Sequence, residues 1–494
     1  MVLSIRVHPA LLSADSVSDE ATPEPRACLV HPRLALALLD YRSDSDSDDG
    51  NDDIDCAADE DTCLWWDDWP PDFDGTGLFQ RLEEMEAAET GDGDARDAPA
   101  LPIFRFDVRE VLNEVEAVVG NRVVDIPNVG KGANYFGMHL RLADDRNILA
   151  RLARVDVNRL EYDDSGRMDE LIAQQIADVQ FEGAVYDLLR NHPDVVAAKL
   201  LHARPPEYKP ELIRSSRDVR GRALFVFERM EGSNTVWPDL VEQRADLLKQ
   251  CARIRASLFL LSIPDDFLRT WITRRPHFPA KHLPASLEIT PTRDFALSLM
   301  LAKVEECIPD EGEQLPDAAS WNSEPQIVST RAVHTKSLLR RLIPLCLPQG
   351  DELYRLVLEH GDFGLHNMSI REDTAAVTSV YDWDSHILPA LLSNPQLAIY
   401  VDLQLDDDCN PVISRAWNGI TEEQRAEQME YSRLYYQALD ACQPRYLPVL
   451  RAGKDARHIW AALVSWASSE EDHEIYFCRL GEWANERLLG IGAL

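Results

Sequence analysis

His360, Asp362 and Asn367 stand in "HGDFGLHN", a His-x-Asp-x-x-x-x-Asn spacing, and Asp382 follows Asn367 by 15 residues in "VYDWDS". Between them, "MSIREDTAAVTSV" reads as two short strands around a turn at residues 371–374, with Ile370 on the first and Val377 and Val380 on the second. Asp362, Asn367 and Asp382 are therefore three oxygen-bearing side chains on one hairpin-like unit. Phosphoryl transfer needs such a set. One carboxylate orients an attacking hydroxyl and accepts its proton, while an amide oxygen and a second carboxylate hold Mg²⁺ against nucleotide phosphates. Hard oxygen donors without a His/Cys cluster favour Mg²⁺ over zinc. The octapeptide alone recurs by chance, so its weight rests on the elements around it.

Those elements change character along the chain. "FDVREVLNEVEAVVG" (Phe106–Gly120) has apolar residues at helical spacing and closes on a glycine. The stretch from Asn121 to Arg154 reads as three strands. Phe136, Met138, Leu140 and Leu142 alternate with smaller or polar residues, and Asp144-Asp145-Arg146-Asn147 supplies a turn. Met168–Arg190 returns to a helical period, Val195–Leu201 and Arg222–Met230 read as strands, and Pro238–Ile263 reads as a long amphipathic helix. Helices are expected over 293–308, 328–346, Thr421–Cys442 and Asp455–Ala467, and the C-terminal part as a whole reads as helical. Strands do not alternate regularly with helices, which disfavours a doubly wound sheet. A two-lobed α+β protein is expected, with a cleft between lobes as the natural ligand site.

In that order, the His-x-Asp-x-x-x-x-Asn loop, the strand pair and Asp382-Trp383-Asp384 resemble the aminoglycoside phosphotransferase-like branch of the protein-kinase-like superfamily, in its fungal-type form. The resemblance spans roughly residues 120–400. It implies a bilobal protein-kinase-like fold: a small antiparallel-sheet N-lobe with one long helix, over 101–232, and a larger, mainly helical C-lobe over 233–494. Residue by residue, it implies Asp362 as catalytic base and Asn367 and Asp382 as metal ligands. "VGKGANYF" falls where the nucleotide-covering loop belongs, so Gly130, Gly132 and Asn134 would approach the phosphates. Arg151 stands in place of the usual strand-three lysine and would pair with Glu182, while Glu228 and Met230 would give the hinge contacts to the base. Mg²⁺ and ATP or GTP are the implied cofactors, with a small hydroxyl-bearing molecule as acceptor. The chain departs from the pattern in its arginine, in an irregular glycine loop, and at Gly364. There many relatives carry a histidine and protein kinases a lysine, and His366 beside Asn367 either compensates or serves structure. By the same pattern His360 braces the backbone, Trp383 packs in the core, and Asp384 either flanks the metal or caps the next loop.

Charge narrows the partners. The 494 residues carry 50 Lys+Arg against 86 Asp+Glu, a net charge of −36, which repels nucleic acid and anionic membrane surfaces. Half of that excess lies in residues 41–99, with 21 acidic and 3 basic residues. Residues 1–100 are expected to be largely disordered, since so polar a stretch cannot bury enough apolar area to offset its ordering entropy. Within it, "CLWWDDWPPDF" (Cys63–Phe73) sets tryptophans among acids, a composition that can dock on a partner or on the chain's own domain. Nine scattered cysteines without a Cys-x-x-Cys, a poor signal-peptide N-terminus and no long apolar run favour a reduced, cytoplasmic protein. Two function classes follow. One is an active small-molecule kinase, favoured because Asp362, Asn367 and Asp382 are all present. The other is a pseudokinase-like nucleotide-binding or scaffold protein, with the acidic segment as its contact element. A protein Ser/Thr kinase is weaker, because no Ala-Pro-Glu-like element follows Asp382-Trp383-Asp384.

Overall fold

The alternation in "YFGMHLRL" becomes a strand with one face in the core. Met138, Leu140 and Leu142 are wholly buried and Phe136 nearly so. The computed structural model describes residues 106, 108–132, 134–158, 167–209, 219–275, 278–313, 327–383, 386–416, 420–466 and 472–493. The acidic segment, its tryptophans and Asp384 lie outside the described residues. The chain divides into two units, the first reaching Arg229 and the second running from Met230, with residues 188–197 belonging to the second.

The first unit is an antiparallel sheet of five strands in the order β1-β2-β3-β5-β4. Its strands are β1 (Val123–Lys131), β2 (Tyr135–Leu142), β3 (Asn147–Ala153), β4 (Leu200–Arg204) and β5 (Leu224–Glu228). Helix α1 (Val108–Val119) turns Val108, Val111, Leu112 and Val115 into the same core as β1–β3, as its apolar spacing requires. Helix α2 (Arg167–Leu189) is the long helix of this unit, and it buries Phe181, Val185 and Tyr186.

One strand is displaced from its expected place. Val195–Leu201 is apolar, yet the ladder runs from Leu200 to Arg204. Arg204 is buried in that strand because Glu114 accepts from its Nε at 2.6 Å and the carbonyls of Val219, Arg220 and Arg222 accept from its remaining nitrogens. The apolar residues ahead of it pair elsewhere, since Ala197 bridges Val380 and the Val380 amide donates to the Val196 carbonyl at 2.6 Å.

The second unit is mainly helical: α3 (Val241–Leu260), α4 (Asp265–Trp271), α5 (Arg293–Cys307), α6 (Thr330–Cys346), α7 (Glu422–Cys442), α8 (Tyr446–Ala452), α9 (Lys454–Ser465) and α10 (His473–Gly490). Side-chain caps start several of them. Thr421 and Gln424 form a capping box at α7, and Asp472 accepts from two amides at α10. Small strand pairs sit among the helices: β6 (Leu356–Glu359) with β9 (His386–Pro389), and β7 (Met368–Ile370) with β8 (Val377–Val380). A three-stranded sheet of β10 (Leu397–Ala398), β11 (Asp402–Leu405) and β12 (Pro411–Ser414) occupies part of the chain that reads as helical in sequence. The element order is the one expected from the sequence: an antiparallel sheet with one long helix, followed by a mostly helical unit. The six described cysteines are free thiols, and no described helix is long and apolar enough to cross a membrane.

Candidate functional site

In the first unit, β3 carries Arg151 and α2 carries Glu182. Their side chains form a buried ion pair, Nη1 to Oε1 at 3.7 Å, and Tyr186 donates its hydroxyl to the same glutamate oxygen at 3.1 Å. The guanidinium also lies 4.4 Å from the centre of the Tyr135 ring. A planar cation suits that double contact better than an ammonium would. Gly130 pairs with Gly137 across β1 and β2, and the Gly132 amide donates to the Tyr135 carbonyl at 2.8 Å, closing the connection. The Arg154 side chain donates to the Gly132 carbonyl and its amide donates to that of Asn134. The Gly132 N–H is thus engaged within the turn. Glu228 ends β5 with its amide donating to Lys199 and its carboxylate ion-paired to the Lys199 ammonium; Met230 opens the second unit.

In the second unit, β6 delivers the chain into the loop bearing Asp362. Gly361 takes φ +79° at the bend, and a single 3-10 turn, Leu365–Asn367, hands over to β7. Two donors converge on Asp362 Oδ2: His366 Nε2 at 2.8 Å and Asn367 Nδ2 at 3.3 Å. The Asn367 amide nitrogen also donates to the Asp362 carbonyl at 2.9 Å, and the residue is nearly buried. Its nitrogen being committed inward, its oxygen is the end left to serve as a ligand.

Asp382 is tied to this loop through its neighbour. The Tyr381 amide donates to the Asn367 carbonyl at 3.1 Å, and the Tyr381 hydroxyl donates to the His366 carbonyl at 3.0 Å. Asp382 itself adopts φ +66°, left-handed backbone that a residue with a side chain rarely takes. His360 is fully buried, lies tilted against Trp383 with ring centres 4.6 Å apart, and donates from Nε2 to the Tyr381 carbonyl at 3.1 Å. Burial drives its pKa down to about 4, with Asp362 and Asp382 pulling the other way, so it is neutral near pH 7.

Behind the loop, Arg255 of α3 lies 4.4 Å from the Phe363 ring centre and donates to the Gln396 carbonyl at 2.8 Å. Its guanidinium stands 4.0 Å from Glu359, whose carboxyl is pushed up to about 7 by burial despite that cation. The segment that opens the second unit is laced onto the same region. Ser233 and Ile370 exchange two backbone hydrogen bonds at 3.0 and 2.9 Å, Thr235 donates to the Leu365 carbonyl at 3.1 Å, and Thr378 donates to the Glu231 carbonyl. Gly232 sits so close that a Cβ there would lie 2.6 Å from the Ile370 oxygen.

Sequence reasoning missed Asp402 and Arg415. Asp402 is buried, pairs with Arg415 at 3.2 Å, and is held above the usual carboxylate range by burial, with Asp362 adding to the rise. No local motif announces either residue, because a sheet of two- to four-residue strands brings them near the loop. Among the described residues, no group of three His, Cys, Asp or Glu side chains is arranged to hold a metal. Asp382 and the Asn367 oxygen are hard donors that fit Mg²⁺, an ion that keeps several waters or phosphate oxygens in its shell.

No family model and no curated protein matches the chain. Among solved structures, it is similar to macrolide 2′-phosphotransferase MphH from Brachybacterium faecium, at 12% identity over 76% of this chain and 97% of that one, with a TM-score of 0.35. Choline kinase from Cryptosporidium parvum gives 14% identity, 78% and 98% coverage and a TM-score of 0.38. Aminoglycoside phosphotransferase APH(4)-Ia, in ternary complex with ADP and hygromycin B, gives 12%, 78% and 99%, and 0.36. These are partial likenesses of chain path and speak to no individual residue of this chain.

Proposed function

We propose that the chain is a Mg²⁺-dependent phosphotransferase that moves the γ-phosphoryl group of ATP or GTP to a hydroxyl of a small molecule, with Asp362 as base. The observation that carries this reading is the convergence of His366 and Asn367 on one oxygen of Asp362. A carboxylate held by two donors has a fixed plane, as a base that must meet a hydroxyl in one orientation requires. The acceptor oxygen forms its bond to the γ-phosphorus as the bond to the β–γ bridging oxygen breaks. The hydroxyl proton passes to Asp362, and the nucleoside diphosphate leaves. Asn367 and Asp382 are the residues that would hold Mg²⁺, whose charge neutralises the phosphate oxygens. Arg151, oriented by Glu182, is the residue assigned to the nucleotide phosphates, while Glu228 and Met230 are assigned to the base. Gly130 and Asn134 are assigned to close approach around the phosphates. Gly132, its amide engaged with Tyr135, is assigned a shaping role only.

The test is a screen of Mg-ATP and Mg-GTP turnover against hydroxyl-bearing metabolites, with Asp362→Ala as control. Turnover that survives in Asp362→Ala sinks the assignment of the base. A wild-type protein whose melting temperature ignores Mg-ATP and Mg-GTP sinks the phosphotransferase reading and leaves that of a scaffold.

A further inference from the structure

Gly364 departs from the pattern that surrounds it, and its own backbone does not explain the choice. Its φ of −153° and ψ of 167° are extended values that any residue adopts. The requirement is steric. A Cβ on Gly364 would lie 2.5 Å from Cε1 and 2.7 Å from Nδ1 of His366, distances no real contact tolerates. The imidazole thus lies directly over the glycine, and from that seat its Nε2 reaches Asp362 Oδ2 at 2.8 Å. The backbone that carries the ring is held in place, since the Tyr381 hydroxyl donates to the His366 carbonyl and the Asn367 amide donates to the Gly364 carbonyl at 3.0 Å each.

We infer that His366 is the positioning residue of Asp362 and that Gly364 is a glycine in order to seat its imidazole. The loop gains from residue 366, folded back over residue 364, a nitrogen donor that no side chain at 364 supplies. Two donors on Oδ2, His366 and Asn367, then fix the carboxylate, and Asn367 alone sits at the longer distance of 3.3 Å. The role is one of orientation: His366 acts through Asp362. This inference rests on the reading of Asp362 as the base.

One further neighbour complicates any substitution at Gly364. Its hypothetical Cβ would also lie 2.9 Å from the Ala398 Cβ, on a strand held to this loop by the Ala398 amide donating to Phe363 at 3.0 Å. A double-mutant cycle separates the two contacts, because removing the ring relieves only one of them.

The experiment compares full-length wild type with Gly364→Ala, His366→Ala, the double variant, and His366→Gln, which keeps a donor near the Nε2 position. Mg-ATP hydrolysis with water as acceptor and the melting temperature are read for each. Each single alanine variant is expected to lower kcat by about tenfold to a hundredfold, the range seen when an orienting partner is lost, with KM for ATP nearly unchanged. The double variant falls no further than His366→Ala, and His366→Gln recovers most of the rate. Additive losses, an unchanged kcat in His366→Ala, or a loss confined to KM overturn the inference while the phosphotransferase reading stands. A wild type that neither hydrolyses nor is stabilised by Mg-ATP defeats that reading instead. In that event, a melting-temperature loss in Gly364→Ala that is smaller without His366 still supports the seat, the remainder being the Ala398 contact, and an equal loss in both backgrounds overturns it.

Discussion

His360 joins the two halves of the candidate site, because its Nε2 proton goes to the carbonyl of Tyr381, the residue before Asp382, at 3.1 Å. The ring is wholly buried and neutral, with a pKa lowered from 6.5 to about 4. The unfolded chain therefore binds a proton between those values that the folded chain refuses. The stabilisation is complete above pH 6.5 and declines as pH falls towards 4, by up to about 3 kcal/mol. Urea unfolding of wild type at pH 7 and pH 4.5 should show this loss, and His360→Gln should lose less over the same interval. His139, also lowered to about 4 mainly by burial, leaves a residual slope in the variant.

Asp362→Asn keeps the size of the side chain and removes its basicity. Its expected effect is a fall in phosphoryl transfer of about two to four orders of magnitude, the usual worth of a general base. Mg-ATP binding, followed by thermal shift or calorimetry, should stay within a few-fold of wild type. A comparable loss of binding would move Asp362 from the chemistry to the nucleotide.

Asp382 sits at φ +66°, a conformation that costs a residue with a side chain about 1 kcal/mol or more. Asp382→Gly should relieve that strain and unfold at equal or higher urea concentration than wild type. The same variant should lose the Mg²⁺-dependent part of its nucleotide-induced melting shift. Loss of stability together with an intact shift would remove Asp382 from the ligand set.

The Arg151–Glu182 pair is buried at both ends. Glu182→Ala leaves a guanidinium without that carboxylate in the interior and should destabilise the protein by about 3–5 kcal/mol. Glu182→Ala combined with Arg151→Met should recover much of that loss by equilibrium unfolding, because no buried cation remains. Both variants should bind Mg-ATP more weakly, which separates the role in stability from the role in binding.

What the sequence made legible follows from the range of each signal. Met138, Leu140 and Leu142 alternate over a whole strand, and Val108, Val111, Leu112 and Val115 repeat over a helix, so period alone finds them. The pair formed by Met368–Ile370 and Val377–Val380 was marked by the turn between them. Strand β4 lies further along the chain than the apolar run Val195–Leu201 suggests, because Arg204 is buried in it only through four acceptors distant in sequence. The sheet of β10, β11 and β12 was hidden because its strands are too short to show a period. Within the candidate loop, residue types were legible and rotamers were not. Nothing in "GDFGLHN" says that the histidine folds back over the glycine.

The lacing of residues 231–235 onto Ile370, Leu365 and Thr378 has a consequence for how the chain is made. These bonds join segments up to 147 positions apart, with helices α3 to α6 synthesised between them. The backbone groups of Ser233 and Thr235 emerge long before their partners exist. Closing so long a loop delays folding, so the loop bearing Asp362 takes shape only after most of the chain is out. A polypeptide cut short before Leu365 would leave the backbone groups of Ser233 and Thr235 without these partners.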